Sequence, residues 1–286
     1  MLTGVDRIQV VVSDRRAAAA GYQTLLEAVV SREDRLPELG ARRSVLQVGG
    51  SEVELLEPDC AGVAADFLTR TKGGLFAAGF ATADVAQCRA HLTARGVVAA
   101  EAGGQLLLSP EALGIPGLRA VISAAADRQP VGPLRNLYEA TLLVDDFAAV
   151  VARVASVFAL DASPFVPIRS SEYGYAGVLT LFHPERLARM EIITPNQPAK
   201  TMGRLFAKRG ACWYMCFAEA DDLLPLRARL LEHAPTQWTG PRDGPAVDSL
   251  FIHPPALGGV MMGVSRTTFA WTWSGHPEWV RPEVHP

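Results

Sequence analysis

Four segments of the chain repeat one hydrophobic pattern, in which an alternating strand leads into an amphipathic helix. The segments open with VDRIQVVVSD, GGLFAAGFATAD, NLYEATLLVDD and GACWYMCFAEADD. In the second helix Val85, Cys88 and Leu92 recur at helical spacing. A Ser or Asp precedes each helix, where its oxygen can accept from unpaired backbone N–H groups. The pattern predicts four modules, each made of a strand, a helix and further strands.

The later parts of the modules also repeat. VELLEP (53–58) and MEIITP (190–195) close the first and third modules with a proline, and DFLTRTKGG and GRLFAKRGA then predict short connecting helices. The Pro- and Gly-rich stretch 127–136 is a natural boundary. We therefore predict an N-terminal domain over 1–126, a linker over 127–136, a C-terminal domain over 137–268 and an aromatic tail over 269–286.

The amino-acid composition of the chain argues against two classes of binding partner. The 286 residues are 49% hydrophobic and carry a net charge of −3, which gives no reason to expect nucleic acid or an anionic membrane surface. No apolar run reaches the roughly 18 residues that cross a bilayer, and the N-terminus does not resemble a secretory signal. We expect a cytoplasmic protein with a small-molecule substrate. The C-terminal tail contains tryptophans and is compatible with a homodimer.

A βαβββ unit used in pairs, each pair forming a curved eight-stranded cup, resembles the vicinal oxygen chelate (glyoxalase / bleomycin resistance / extradiol dioxygenase) superfamily. GGLFAAGFATAD and FIHPPALGGVMMGVS carry the resemblance most specifically. The first half looks most like methylmalonyl-CoA epimerase, and the four-module layout looks like extradiol and hydroxyphenylpyruvate dioxygenases. The resemblance implies an α+β fold with curved mixed sheets and a site facing into a cup.

The resemblance also implies where metal ligands would lie, namely on the first and last strand of each module. The aligned positions hold Arg7, Ala77, Glu139 and Tyr214 on the opening strands, and Glu54, a residue near Val121, Glu191 and Gly263 on the closing strands. None of these residues is a histidine. A 2-His-1-carboxylate iron site needs three converging ligands, so ring cleavage by the usual iron mechanism is disfavoured.

The two cups differ in charge. Arg7 and Glu54 should form an ion pair on neighbouring strands, which we interpret as structural. Glu139 and Glu191 should lie on adjacent strands with no Lys or Arg beside them there. Two close carboxylates in a confined place share a proton, bind a cation or are neutralised by a loop residue. Tyr214 on the opposite side could donate to a developing oxyanion.

Further residues are candidates for substrate contacts. Thr141 should face the same cup as Glu139, and His253 should lie near its mouth. The segment 161–177 reads as a long aromatic loop in which Phe165, Arg169, Tyr173 and Tyr175 could form a lid and an aromatic pocket wall.

These observations favour a metal-independent isomerase or lyase that moves a proton on an oxygenated or aromatic substrate, with Glu139, Glu191 and Tyr214 as catalytic residues. No cofactor is predicted. Two alternatives stay open. One is a metal-dependent enzyme, dioxygenase-like or epimerase-like, with a rearranged carboxylate site of Glu139 and Glu191. The other is a non-catalytic protein that binds a small molecule.

Overall fold

The computed structural model describes residues 1–280. The first half of the chain contains the following elements: β1 (Leu2–Val11), α1 (Arg15–Leu26), β2 (Val29–Leu36), β3 (Ala41–Val48), β4 (Ser51–Pro58), α2 (Val63–Thr71), β5 (Gly74–Thr82), α3 (Val85–Ala94), β6 (Ala100–Ala102), β7 (Gln105–Leu108), α4 (Pro110–Leu113) and β8 (Ala120–Ala124). α4 is a single helical turn between the last two strands of the second module.

The second half repeats this order. Its elements are β9 (Leu137–Leu143), α5 (Phe147–Phe158), β10 (Val166–Ser170), β11 (Tyr175–His183), β12 (Arg186–Pro195), α6 (Thr201–Arg209), β13 (Cys212–Ala220), α7 (Leu224–His233), β14 (Trp238–Thr239), β15 (Ser249–Ile252) and β16 (Met261–Arg266). The four predicted modules and the two short connecting helices, α2 and α6, are confirmed.

The strands form two eight-stranded sheets with equivalent orders. The first runs β2-β3-β4-β1-β5-β8-β7-β6, and the second runs β10-β11-β12-β9-β13-β16-β15-β14. In both sheets the first strand of a module pairs in parallel with its last strand, while the remaining neighbours within a module are antiparallel. The sheets are thus mixed, and the predicted α+β architecture is confirmed.

Helix starts follow the predicted capping in three modules. Asp14, Asp84 and Asp146 each accept from backbone N–H groups in the first turn of α1, α3 and α5. In the fourth module the residue directly before α7 is Leu223, and Asp222 one position earlier accepts from the backbone N–H of Leu224 over 2.8 Å. Proline inside the first turn of α7 has no N–H to satisfy.

The chain groups into two compact units. One consists of Met1–Asp6, Ala77–Ala126 and Glu139–Tyr214, and the other of Arg7–Phe76, Asp127–Tyr138 and the chain from Met215 onward. The first unit therefore holds most of the second and third modules, and the second unit holds most of the first and fourth. The domain boundaries at 126 and 137 stay a prediction.

Each unit has its own packed interior. In the first unit Phe80 contacts Phe182, Trp213 and Phe158, with ring centroids 5.7, 6.3 and 6.5 Å apart. In the second unit the buried Tyr22 of α1 donates to the carbonyl oxygen of Leu257 over 3.0 Å. Among residues 1–280, no helix has both the length and the hydropathy needed to span a membrane.

Two segments differ from the sequence-based expectation. The segment 161–177 is not a long irregular loop, because β10 pairs with β11 as an edge hairpin inside it. The aromatic tail forms two short 3₁₀ turns, Phe269–Trp273 and Pro277–Trp279, and Trp271 is buried. The predicted tail also includes 281–286, which lie outside the described residues.

Candidate active site

The equivalent position in the first half shows how this fold neutralises a buried glutamate. Glu54 on β4 is fully buried and accepts from Arg7 over 2.7 Å, from Gln9 over 2.9 Å and from Arg43 over 3.1 Å. Arg43 also holds Asp34 over 2.7 Å. The predicted Arg7–Glu54 ion pair is confirmed, and it belongs to a larger network of buried charges.

This network determines the ionisation of Glu54. Burial acts to raise its pKa, but the charges of Arg7 and Arg43, together with hydrogen bonds from Arg7 and Gln9, hold the pKa below its ordinary value. Glu54 is thus a fixed carboxylate, and its guanidinium partners occupy the place where the superfamily resemblance put a metal ligand.

In the second half, the strands β9 and β12 bring the two predicted glutamates together. β9 and β12 pair in parallel, with Glu139 opposite Arg189 and Thr141 opposite Glu191. Glu139 is 3% exposed and Glu191 is 6% exposed. The hydroxyl of Thr141 donates to Glu191 over 2.6 Å and lies 3.4 Å from Glu139. The predicted meeting of two buried carboxylates is confirmed.

The expectation that these carboxylates have no basic neighbour on their strands is wrong. Arg189 is fully buried on β12 and donates from Nε to Glu139 over 2.5 Å. The sequence contained the signal, because Arg189 precedes Glu191 by two residues and alternation places both on one face of the strand. Glu139 is therefore an ion-paired carboxylate, and Glu191 is the member of the pair left to carry a proton.

Glu191 differs from its counterpart Glu54 in ionisation. Burial raises the pKa of Glu191 to about 8, and the neighbouring negative charge of Glu139 acts in the same direction. The hydrogen bond from Thr141 and the charge of Arg189 oppose this rise without cancelling it. Glu191 is therefore mostly protonated at neutral pH, within range of ionising as the pH rises.

One residue on the neighbouring strand contributes to this difference. Alignment of VELLEP with MEIITP makes Leu56 equivalent to Ile193. Leu56 is the register partner of Arg43, whereas Ile193 is the register partner of Gly177. Gly177 therefore stands where the first half has the second guanidinium.

The position of Gly177 has no room for a side chain. A Cβ there would lie 2.2 Å from the carbonyl oxygen of Ile192 and 2.8 Å from the Cα of Ile193. Close backbone approach thus requires glycine, and Glu191 has no counterpart of the Arg43 side chain.

Two tyrosines complete the cluster. Tyr175, at the start of β11, is hydrogen-bonded to Glu191, and burial together with the charges of Glu191 and Glu139 raises its pKa. Burial and the charge of Glu191 also raise the pKa of Tyr214, on β13, well above its ordinary value. Both phenols therefore stay protonated over the usual pH range and can donate hydrogen bonds. Tyr214 was predicted as a catalytic residue, whereas Tyr175 was expected to form part of a lid and an aromatic pocket wall.

The four residues predicted to contact substrate lie in different surroundings. Thr141 is fully buried between the carboxylates. Tyr173 is 45% exposed and lies in the turn that leads into Tyr175. Arg169 is exposed and pairs with Ala176 in the β10–β11 register, so it points away from the face that carries Tyr175. Arg169 is therefore not brought to the site.

His253 belongs to the other compact unit. Its Nε2 lies 2.7 Å from the hydroxyl of Thr239, in the turn between β15 and β16. This contact ties the histidine to β14 within the same hairpin.

The inner face of the fourth module also differs from expectation. Gly263, which the resemblance aligns with a metal ligand on the closing strand, is the register partner of Phe217. A Cβ at Gly263 would lie 2.2 Å from Cε1 of Phe217, so the phenyl ring covers the site of the missing side chain. Phe217 in turn packs against Phe251 and Tyr138, each with centroids 5.9 Å apart. An aromatic cluster fills the place where the resemblance put a metal-binding glutamate.

The donor set does not fit the metal that the resemblance implies. Among residues 1–280, no group of three or more His, Cys, Asp and Glu side chains converges. Glu139 and Glu191 meet, but the guanidinium of Arg189 already occupies one oxygen of Glu139. Three converging ligands are the minimum for the family's iron site, and the described residues offer two carboxylates.

The second unit contains a separate cavity of about 560 Å³. Small side chains of α1, including Ala17 and Gly21, form one wall, and His233, Gln237 and Ala256 form another. None of the residues predicted for the site lines this cavity.

Comparison with known proteins agrees with the architecture. Residues 6–106 match the family model described as the Glyoxalase/Bleomycin resistance protein/Dioxygenase superfamily. This segment belongs to the vicinal oxygen chelate superfamily. Over the whole chain, the likeness to a solved structure concerns the fold. A mutant of 4-hydroxymandelate synthase from Streptomyces coelicolor matches with a TM-score of 0.70 and 15% identity, covering 93% of each chain.

Smaller relatives match part of the chain. Methylmalonyl-CoA epimerase from Streptomyces coelicolor, in complex with 2-nitronate-propionyl-CoA, is 25% identical over 44% of this chain and all of its own, with a TM-score of 0.38. The epimerase from Mycobacterium tuberculosis is 24% identical over 44% of this chain and 90% of its own, also with a TM-score of 0.38. No curated protein matches the chain.

Proposed function

We propose that this chain is a metal-independent enzyme, an isomerase or lyase, in which Glu191 moves a proton on a small oxygenated substrate. The observation that supports it is the contrast between two equivalent glutamates. Glu54 is held as a carboxylate by Arg7 and Arg43, whereas Glu191 has its pKa raised to about 8. Strongly shifted carboxyls beside specific charges are typical of catalytic groups.

The proton transfer begins with ionised Glu191. Its carboxylate takes a proton from a carbon next to a carbonyl group, and the electron pair of that C–H bond moves to the carbonyl oxygen. Tyr175 or Tyr214 donates a hydrogen bond to the resulting oxyanion. Protonated Glu191 then returns the proton to another carbon of the substrate, which completes an isomerisation.

The other members of the cluster have supporting roles in this proposal. Thr141 donates to Glu191 and fixes which carboxyl oxygen faces away from it. Glu139 acts through its charge, which favours the protonated form of Glu191, and Arg189 is bound to Glu139 as its ion-pair partner. Both are positioning residues, since Arg189 is fully buried and Glu139 is bound to it.

Hydrogen–deuterium exchange tests the proposal without requiring the natural substrate. Protein purified without added metal is incubated in D₂O with a set of enolisable ketones and aldehydes, and loss of the α-proton is followed by NMR. We expect catalysed exchange for at least one compound, with a rate that rises as the pH passes 8. Glu191→Gln should lower the rate by about 10²–10⁴-fold, the usual contribution of a general base.

A matched control is available in the same hairpin. Glu185 is exposed in the turn between β11 and β12, so Glu185→Gln makes the same chemical change and should keep the wild-type rate. Exchange that survives in Glu191→Gln would refute the proposal. Exchange that disappears after chelation and returns with a divalent metal would instead support the metal-dependent alternative, and tight binding without any exchange or product would support the binding protein.

A further inference from the structure

The charges around Glu191 favour one class of substrate, and this inference rests on the function proposed above. Glu139 and Arg189 are the charged side chains that act most strongly on Glu191. They are bound to one another over 2.5 Å, with side chains 4% and 0% exposed. With Glu191 protonated, the formal charges of the three groups sum to zero.

Four basic residues of the same unit already have partners or point elsewhere. Arg189 holds Glu139, and Arg169 points to the opposite face of β10. Lys200 donates to the carbonyl oxygen of Ser171, and Arg204 donates to that of Ala199. A carboxylate entering beside Glu191 would therefore meet the negative charge of Glu139, to which Arg189 is already bound.

An apolar cluster lies on the same face of the strands as Glu191. Leu143, Ile193 and Met202 form a buried cluster, on which Tyr175 and Tyr214 pack. Partly exposed side chains of Ile168, Leu205 and Phe206 lie against the same cluster. An ion that enters such a place loses hydration without a compensating partner, whereas a neutral molecule loses little.

We propose that the Glu191 site takes an uncharged substrate bearing a phenol or carbonyl oxygen, and that it selects against carboxylates. The tyrosine hydroxyls and the Glu191 carboxyl can hydrogen-bond a neutral oxygen, and the apolar side chains surround the rest of the molecule. The charge of Glu139 supplies the selection, since like charges a few ångströms apart in a poorly hydrated place repel strongly.

Three ligands of similar shape test this selection on the wild-type protein. They are 4-methylphenol, 4-methylbenzoate and 4-methylbenzylammonium, titrated at pH 6.5 and followed by NMR of the ligand. We expect 4-methylphenol to bind at least about tenfold more tightly than 4-methylbenzoate. A tenfold difference in affinity is a small effect for a ligand carboxylate that lies near the charge of Glu139. The double variant Tyr175→Phe/Tyr214→Phe should lose this phenol binding, which places the ligand at the site.

Glu139→Gln provides the discriminating variant. It removes the repelling charge and releases Arg189 as a partner, so the preference for the phenol over the benzoate should shrink or reverse. Should this variant fail to fold, the ranking of the three ligands on the wild type decides alone.

The opposite ranking overturns the inference. Benzoate binding as tightly as the phenol, benzylammonium binding more tightly than the phenol, or no binding by any of the three would each do so. These results leave the exchange test of Glu191 unaffected. Conversely, a clear phenol preference with no catalysed proton exchange would reject the proposed proton transfer and keep the selection of neutral ligands.

Discussion

Glu139 and Arg189 face each other across β9 and β12, at the position where β1 and β4 hold Arg7 and Glu52 with the charges exchanged. The distance between the charged atoms is 2.5 Å in the first case and 2.6 Å in the second. Both halves thus keep a buried or nearly buried ion pair at the same place in the module. They differ in which of the two strands carries the arginine and which carries the glutamate.

Removal of Arg189 tests how much this pair stabilises the fold. Arg189→Met leaves Glu139 buried without its guanidinium, and we expect a loss of about 3–5 kcal/mol in the free energy of unfolding, measured by urea denaturation. The double variant Glu139→Gln/Arg189→Met should recover most of this loss, because no uncompensated charge remains. A loss below about 0.5 kcal/mol in the single variant would mean that the pair is solvated rather than buried.

The raised pKa of Glu191 predicts a particular dependence of stability on pH. In the unfolded chain Glu191 ionises near its ordinary pKa of 4.5, while in the folded protein it keeps its proton until about pH 8. The folded state therefore binds more protons in this window, and the contribution of Glu191 to stability falls as the pH rises from about 4.5 to about 8.

Urea unfolding at intervals between pH 5 and 9 measures this effect. Glu191→Gln cannot ionise, so its stability should depend less steeply on pH than that of the wild type across the same window. Glu185→Gln is again the control, because an exposed carboxyl should leave the slope unchanged. Equal slopes for wild type and Glu191→Gln would show that Glu191 ionises normally in the folded protein.

Gly177 should not tolerate even a methyl group. Gly177→Ala would place its Cβ 2.2 Å from the carbonyl oxygen of Ile192, and the resulting shift of β11 or β12 should cost about 1–3 kcal/mol in the free energy of unfolding. Gly4→Ala is the matched control, since a Cβ at Gly4 meets nothing within 4 Å, and it should stay within about 0.5 kcal/mol of the wild type.

A glutamate at Gly263 should fail to create the superfamily's metal site. Its Cβ would lie 2.2 Å from the ring of Phe217, so Gly263→Glu should lower the melting temperature without conferring iron binding. The measurement is metal content after incubation with Fe²⁺, together with thermal unfolding. Iron bound by Gly263→Glu in equal molar amount to the protein would show that the ring moves aside easily and that the donor set is more complete than it looks.

The four modules could be predicted from the sequence because each carries its own hydrophobic alternation and its own helix start. Both are local properties of the chain. The meeting of Glu139 with Glu191 was predictable for the same reason, since both lie at fixed places in equivalent strands. The position of Arg189 beside the carboxylates could also be predicted, because strand alternation places it on the same face as Glu191. Leaving Arg189 out of the predicted site was an error of interpretation rather than a limit of the sequence.

Other features depended on contacts between strands that local patterns do not encode. The role of Gly177 follows from its register against Ile193, and a one-residue slip would have moved it to the other face. The covering of Gly263 by Phe217 likewise depends on which residues of β13 and β16 are partners. The edge strand β10 was missed because its residues are rich in proline and polar groups, which are typical of loops.

The exchanged ion pairs restrict how such a duplicated chain can recombine. A crossover that joined β1 to β12 would place Arg7 against Arg189, and one that joined β9 to β4 would place Glu139 against Glu52. Either hybrid would bury two like charges in contact. The two strands of each pair must therefore be inherited together, and segments exchanged between the halves are tolerated only when they carry both.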